Sequence, residues 1–183
     1  MIGRGGIHCR ALVTVAAGAI VMAGLAGANT VGLRFNATPS MPVGFWQMMS
    51  NPAQIRRGEV VVLCPPDTAS LRMGQERGYI PSGNCPGGSE PLVKPIAAVG
   101  GDVVAVSATG VVVNGRPVPD TAQLSRDSAG RPLMPIPAGV YAVAPGEMWL
   151  LSGHDPRSFD SRYFGPVPQA NVQGVARPLL VLR

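Results

Sequence analysis

The sequence predicts an all-β domain, a small antiparallel, barrel-like sheet, behind one N-terminal transmembrane helix. Three observations carry that expectation. A long run between Arg10 and Arg34 holds no charged residue. Beyond it, short β-branched runs alternate with Gly, Pro and Asn-Gly turns. Glycine (24) and proline (19) make up nearly a quarter of the 183 residues, so the chain turns often and builds few long helices.

The first element is the apolar run from Ala11 to Ala28, "ALVTVAAGAIVMAGLAGA". It is close to the ~20 apolar residues that span a bilayer as a helix. Arg4 and Arg10 precede it, so the positive-inside rule places residues 1–10 in the cytoplasm, 11–33 in the membrane and 34–183 outside. A cleaved signal peptide is the rival reading, because Ala26-Gly27-Ala28 has the A-x-A form. The run is longer than the ~7–15 residues usual for a signal-peptide core, which favours a retained anchor.

The remaining elements follow in order. Phe45 to Met49 reads as a short strand or helical turn. Glu59 to Leu63, "EVVVL", reads as a buried strand bounded by Arg57-Gly58 and Cys64-Pro65. "TASLRMGQERGY", from Thr68 to Tyr79, is the best helix candidate outside the anchor, in a segment expected to lie on the surface. Leu92 to Val99 forms a strand that ends at the turn Gly100-Gly101-Asp102. Val103–Ser107 and Val111–Val113 make a hairpin, and Asn114-Gly115 turns the chain into Arg116-Pro117-Val118. Thr121 to Pro137 reads as a long surface loop. "GVYAVA", Pro145-Gly146 and "EMWLLSG" suggest another hairpin, and "VQGVARPLLVLR" supplies one or two closing strands.

Charge narrows the partners. The net charge of +5 is thinly spread, with no Lys/Arg-rich run, so a nucleic-acid partner is not expected. A mildly basic domain suits work beside anionic lipid headgroups. Cys64 and Cys85 would share the oxidising side of the membrane and close a loop of about twenty residues, worth roughly 3 kcal/mol as a disulfide. Two buried free thiols are the alternative. His8 and His154 show no ligand spacing, so no metal is expected.

Three places hold side chains suited to chemistry. Ser40 lies in "NATPSMPVGFW", just past the apolar run; it is either a turn residue in a kinked linker or a nucleophile. Lys94 is the only lysine of the chain and sits in an apolar strand. On an exposed edge it would lay its stem along the sheet; buried, it would lose its charge and become a general base. A nucleophilic serine needs such a base and an oxyanion donor. The Ser40 N–H and the Thr38 hydroxyl are donor candidates. Asn36-Ala37-Thr38 also fits a glycosylation pattern, to which little weight attaches. The third place is "SGHDPRSFDSRYFGPV", Ser152 to Val167. Asp155 and Asp160 are good turn residues there, and Asp160–Arg162 reads either as a surface ion pair of small value or as a support that lets Ser158 orient the lysine amine.

The ordered set Ser40-Met41-Pro42, "LVKPIAAVGGDVV" with "VVVNGRPV", and "SFDSRYFGPV" resembles the type I signal peptidase family, which uses a Ser/Lys dyad. It is most similar to the conjugative-transfer branch, the TraF-like peptidases that mature pilins. The resemblance implies Ser40 as nucleophile, Lys94 as base, Thr38 as oxyanion donor, Ser158 as the residue orienting the lysine, and Asp160 and Arg162 as supports. Pro95 after the lysine and Ser152-Gly153-His154-Asp155 in place of Gly-Asp-Asn depart from the housekeeping pattern, which leaves the role of Asp155 open. It implies no cofactor, an exported pilin-like precursor as substrate, contact with secretion machinery, and a product that is linear or cyclic. A general signal peptidase and a non-catalytic β-scaffold of a secretion assembly stand as alternatives. A self-cleaving repressor would need a DNA-binding head where the apolar run stands.

Overall fold

The computed structural model describes residues 32–50 and 54–182. The run Ala11–Ala28 and the expected cytoplasmic segment lie outside the described residues. Leu33, assigned above to the anchor, already belongs to a strand. Among the described residues no helix is long and apolar enough to cross a membrane.

The described residues form an all-β fold of two antiparallel sheets. The larger has strand order β1-β2-β11-β3-β4-β9-β10. Its members are β1 (Leu33–Asn36), β2 (Gly44–Met49), β3 (Val60–Leu63), β4 (Leu92–Val99), β9 (Glu147–Leu150), β10 (Val167–Pro168) and β11 (Val172–Val181). The smaller has order β7-β6-β5-β8, from β5 (Val103–Ser107), β6 (Gly110–Val113), β7 (Arg116–Val118) and β8 (Gly139–Ala142). Register shifts in β4 and in β11, at Val172/Gly174 and Pro178/Leu180, interrupt the ladders. Such bulges bend a strand and raise its twist.

Local chemistry explains the elements. In β4 the period-2 alternation turns Lys94, Ile96 and Ala98 to one buried face. Asn114 and Gly115 both take positive φ, 49° and 77°, as a two-residue hairpin turn with the strands' own twist requires. The Asn114 side chain adds to the turn by accepting from the Val103 N–H. Trp46 points inward from β2 onto Met41, Val62 and Ala176.

Two expectations change and one is narrowed. "GVYAVA" and "EMWLLSG" are not a hairpin: β8 pairs with β5, whereas β9 pairs with β4 and β10. Pro145-Gly146 carries the chain from one sheet to the other, a step that local patterning does not reveal. The closing segment is one continuous strand, β11, joining β2 to β3. The segment between the cysteines does not merely lie on the surface. Its helix, Ala69–Glu76, starts at the N-cap Thr68. Leu71 and Ile80 enter the main core with Phe159 and Tyr163. Gly74 is required there, since a Cβ would lie 2.9 Å from the Phe159 ring.

Cys64 and Cys85 form a disulfide across a separation of 21 residues. Replacing both by serine should cost about 3 kcal/mol, mostly by freeing the unfolded chain. A urea midpoint that does not move would show that Leu71 and Ile80 hold the segment alone.

Candidate active site

Ser40 sits on the loop joining β1 to β2, and Asn36 at the end of β1 shapes that loop. The Asn36 amide donates to the carbonyls of Thr38 (2.9 Å), Met41 (3.0 Å) and Pro42 (3.2 Å). Its Oδ1 accepts from the Thr38 N–H and from the Thr38 hydroxyl, the latter at 2.8 Å. With Nδ2 so engaged and Asn36 buried, the residue is no acceptor for a glycan in the folded domain. Its part as organiser of the loop was not visible in the sequence.

Thr38 Oγ1 lies 3.2 Å from Ser40 Oγ. The single Thr38 hydroxyl proton goes to Asn36, so in this arrangement Ser40 donates to Thr38. Among the described residues no hydrogen bond joins Ser40 Oγ directly to Lys94 Nζ. Both residues nevertheless line one cavity of about 480 Å³. Its walls also carry Ile80 and Tyr79 from the disulfide-bounded segment, Leu124 and Leu133 from the 121–137 loop, and Phe159. Polar side chains, among them Glu90, Asp127, Asp155 and Arg157, share the lining with these apolar ones.

Lys94 is 4 % exposed. Its amine donates to Ser158 Oγ at 2.8 Å. Burial pushes it from an ordinary 10.5 down to about 8. The carboxylates of Asp160 and Asp155 pull it upward, and the Arg162 charge pushes it further down. The exposed-edge alternative for Lys94 therefore falls.

Asp160 and Arg162 are both fully buried, so they are not the surface pair that the sequence allowed. Arg162 forks onto Asp160, Nε to Oδ1 at 2.8 Å and Nη2 to Oδ2 at 2.9 Å. Burial works against the guanidinium charge, but the hydrogen bonds and charge of Asp160 more than offset it and raise the Arg162 pKa. Arg162 also donates to the carbonyls of Ala122, Pro156 and Ser158. Asp160 caps the short helix Ser161–Phe164. Asp155 Oδ1 accepts from the Arg157 N–H and the Asp155 carbonyl from the Ser158 N–H, so this residue shapes the turn that presents Ser158. Its charge on Lys94 is its second effect.

Ser152 and Ser161 were not singled out from sequence. The Ser152 hydroxyl donates to the Ser40 carbonyl across 112 residues of chain. Ser161 Oγ accepts from the Leu150 N–H, tying the short helix to β9. Neither has a local signal, because both contacts are tertiary.

The described residues are an antiparallel all-β domain with a buried lysine and a loop serine on one cavity. Residues 7–180 match the family described as signal peptidase, peptidase S26, and the chain belongs to that family. A probable conjugal transfer protein TraF of Sinorhizobium fredii is 41% identical over 81% of this chain and 77% of that protein. A plasmid transfer protein TraF of Escherichia coli is 38% identical over 93% of this chain and 98% of that protein. A signal peptidase I of Mycobacterium tuberculosis is 36% identical, over 52% of this chain and 38% of that protein.

Proposed function

We propose that this chain is a membrane-anchored serine endopeptidase acting on exported precursors at the outer face of the cytoplasmic membrane. The carrying observation is Lys94: the only lysine, buried, held by Ser158, on the wall of the cavity that Ser40 also lines. Neutral Lys94 takes the Ser40 hydroxyl proton as Oγ bonds to the scissile carbonyl carbon. The tetrahedral oxyanion is met by the Ser40 N–H and by the Thr38 hydroxyl, which must turn from Asn36 to do so. Lys94 then protonates the leaving amine as the peptide bond breaks. Water releases the acyl group as a free acid. An amine of the substrate attacking the same ester instead closes a ring and likewise frees Ser40.

The conjugal-transfer relatives favour a pilin-like precursor over a broad set of exported proteins. The domain's apolar margin favours a membrane setting. Phe35 and Phe45 are 60% and 42% exposed, in contact with each other near the point where the described chain begins. Leu180 on the adjoining β11 and Leu182 just beyond its end are 72% and 71% exposed. The apolar run Ala11–Ala28 is then the anchor, ahead of β1, and the folded domain is periplasmic.

A non-catalytic scaffold is the second reading, favoured by one observation: Ser40 is hydrogen-bonded to Thr38, not to Lys94. Mass spectrometry of candidate pilin precursors, co-expressed with wild-type or Ser40→Ala protein, separates the two. Cleavage by wild type alone is expected, with a cyclic product one water lighter than the linear one. Equal cleavage by Ser40→Ala refutes the peptidase reading.

A further inference from the structure

We infer that Ser152 is a positioning residue for Ser40, fastening the nucleophile's backbone to the same buried frame that holds Lys94. This rests on the reading of Ser40 as nucleophile given above.

Ser152 lies two residues past the end of β9 and is fully buried. Its hydroxyl has one proton, and that proton goes to the Ser40 carbonyl. The same oxygen accepts from the His154 N–H at 3.2 Å. The Ser152 N–H donates to Asp160 Oδ2 at 3.1 Å. Asp160 is forked by Arg162, Arg162 Nη2 donates to the Ser158 carbonyl at 2.9 Å, and Ser158 Oγ receives the Lys94 amine at 2.8 Å. A hydrogen-bonded path therefore runs from the peptide unit of Ser40 to Nζ of Lys94 wholly within the protein.

The loop needs that fastening. Asn36, the Trp46 indole donating to the Pro42 carbonyl, and buried Met41 hold it from the β1–β2 side, and Thr38 and Pro39 are exposed. Among the described residues, the Ser152–Ser40 bond is the hydrogen bond that ties residues 37–42 to the Lys94 side of the cavity. Without it the loop keeps its internal shape but loses its register against the base. Proton transfer is sharply sensitive to such register: a misplacement of about 1 Å can cost ~100-fold. Ser152 does not touch the reacting atoms. It acts through the placement of Ser40.

The test uses full-length protein in detergent and, as probe, the precursor cleaved by wild type in the co-expression assay. Ser152→Ala should lower the single-turnover rate by about ten- to a hundredfold. KM should stay within about twofold, because the apolar walls carried by Tyr79, Ile80, Leu124, Leu133 and Phe159 are untouched. The pH midpoint of the rate should stay near 8, because Lys94 keeps Ser158 and Asp160. A wild-type rate overturns the inference. So does a midpoint displaced toward that of free lysine, since Ser152 would then be acting on the base and not on Ser40. If the alanine protein does not fold, Ser152→Cys serves. It keeps the shape with a weaker donor, so a several-fold slower rate at an unmoved midpoint is expected, and a wild-type rate again overturns the inference. Ser40→Ala is run beside them: if it cleaves as wild type does, or if wild type cleaves nothing, the function reading itself has failed.

Discussion

Lys94→Met should abolish cleavage and, at neutral pH, leave a more stable protein. In the unfolded chain the amine titrates near 10.5, and burial lowers this to about 8 in the folded state. Below pH 8 both states carry the proton, and the folded state bears the full cost of a buried ammonium. Between about 8 and 10.5 the unfolded chain binds a proton that the folded one does not, so stability rises with pH across that window. The difference amounts to about 3 kcal/mol. Methionine, of similar length and uncharged, removes that cost at pH 7 and should flatten the slope. Urea unfolding at pH 7 and pH 10 measures both effects. A wild-type stability that is level between these values would mean that Lys94 is not desolvated. A direct check is available because the chain has one lysine. Selective ¹⁵N-lysine labelling yields a single side-chain signal, expected to titrate near 8; a midpoint near 10.5 refutes the burial argument. With that midpoint only about a tenth of Lys94 is neutral at pH 7, so the cleavage rate should climb roughly fivefold from pH 7 to 8.

The strand that carries Lys94 was legible as an apolar run between turns. Whether the lysine faced solvent or core was left open, and the burial of Lys94, Ile96 and Ala98 along β4 decides it. The Asn114-Gly115 hairpin was legible through a local rule with a local outcome. What escaped is what tertiary structure decides. Ser40 and Ser152 are 112 residues apart, and no pattern around either announces the other. Asn36 drew notice only for a glycosylation pattern of little weight, because a three-residue pattern cannot show an amide turned inward on three carbonyls. β8 and β9 looked like a hairpin because adjacency in sequence usually means adjacency in a sheet, and here the chain changes sheets at Pro145-Gly146. Asp160 and Arg162 were placed correctly as neighbours, but their depth was not. Two charged residues in a polar stretch read as surface until Phe159, Tyr163 and Phe164 are seen to fold over the core.

That depth makes Arg162 the position where substitution should be most damaging. Removing one partner of a buried pair strands the other, at a cost of about 3–5 kcal/mol. Arg162→Ala would also release the carbonyls of Ala122, Pro156 and Ser158, so two loops lose their common tie. Arg162→Lys should not rescue it, because a single ammonium cannot fork onto both Asp160 oxygens. Asp160→Asn keeps the shape and strands the guanidinium instead. The double variant Asp160→Asn, Arg162→Met leaves neither charge and should recover part of the loss, a coupling that a double-mutant cycle of urea midpoints reads directly. The pair also has an electrical signature that packing alone does not produce. Asp160 raises the Lys94 midpoint and Arg162 lowers it. In variants that remain folded, Asp160→Asn should therefore move the lysine titration below about 8, and loss of Arg162 should move it above. Shifts of the same sign in both would show that the pair acts on Lys94 through altered burial, and that its charges have little effect on the base.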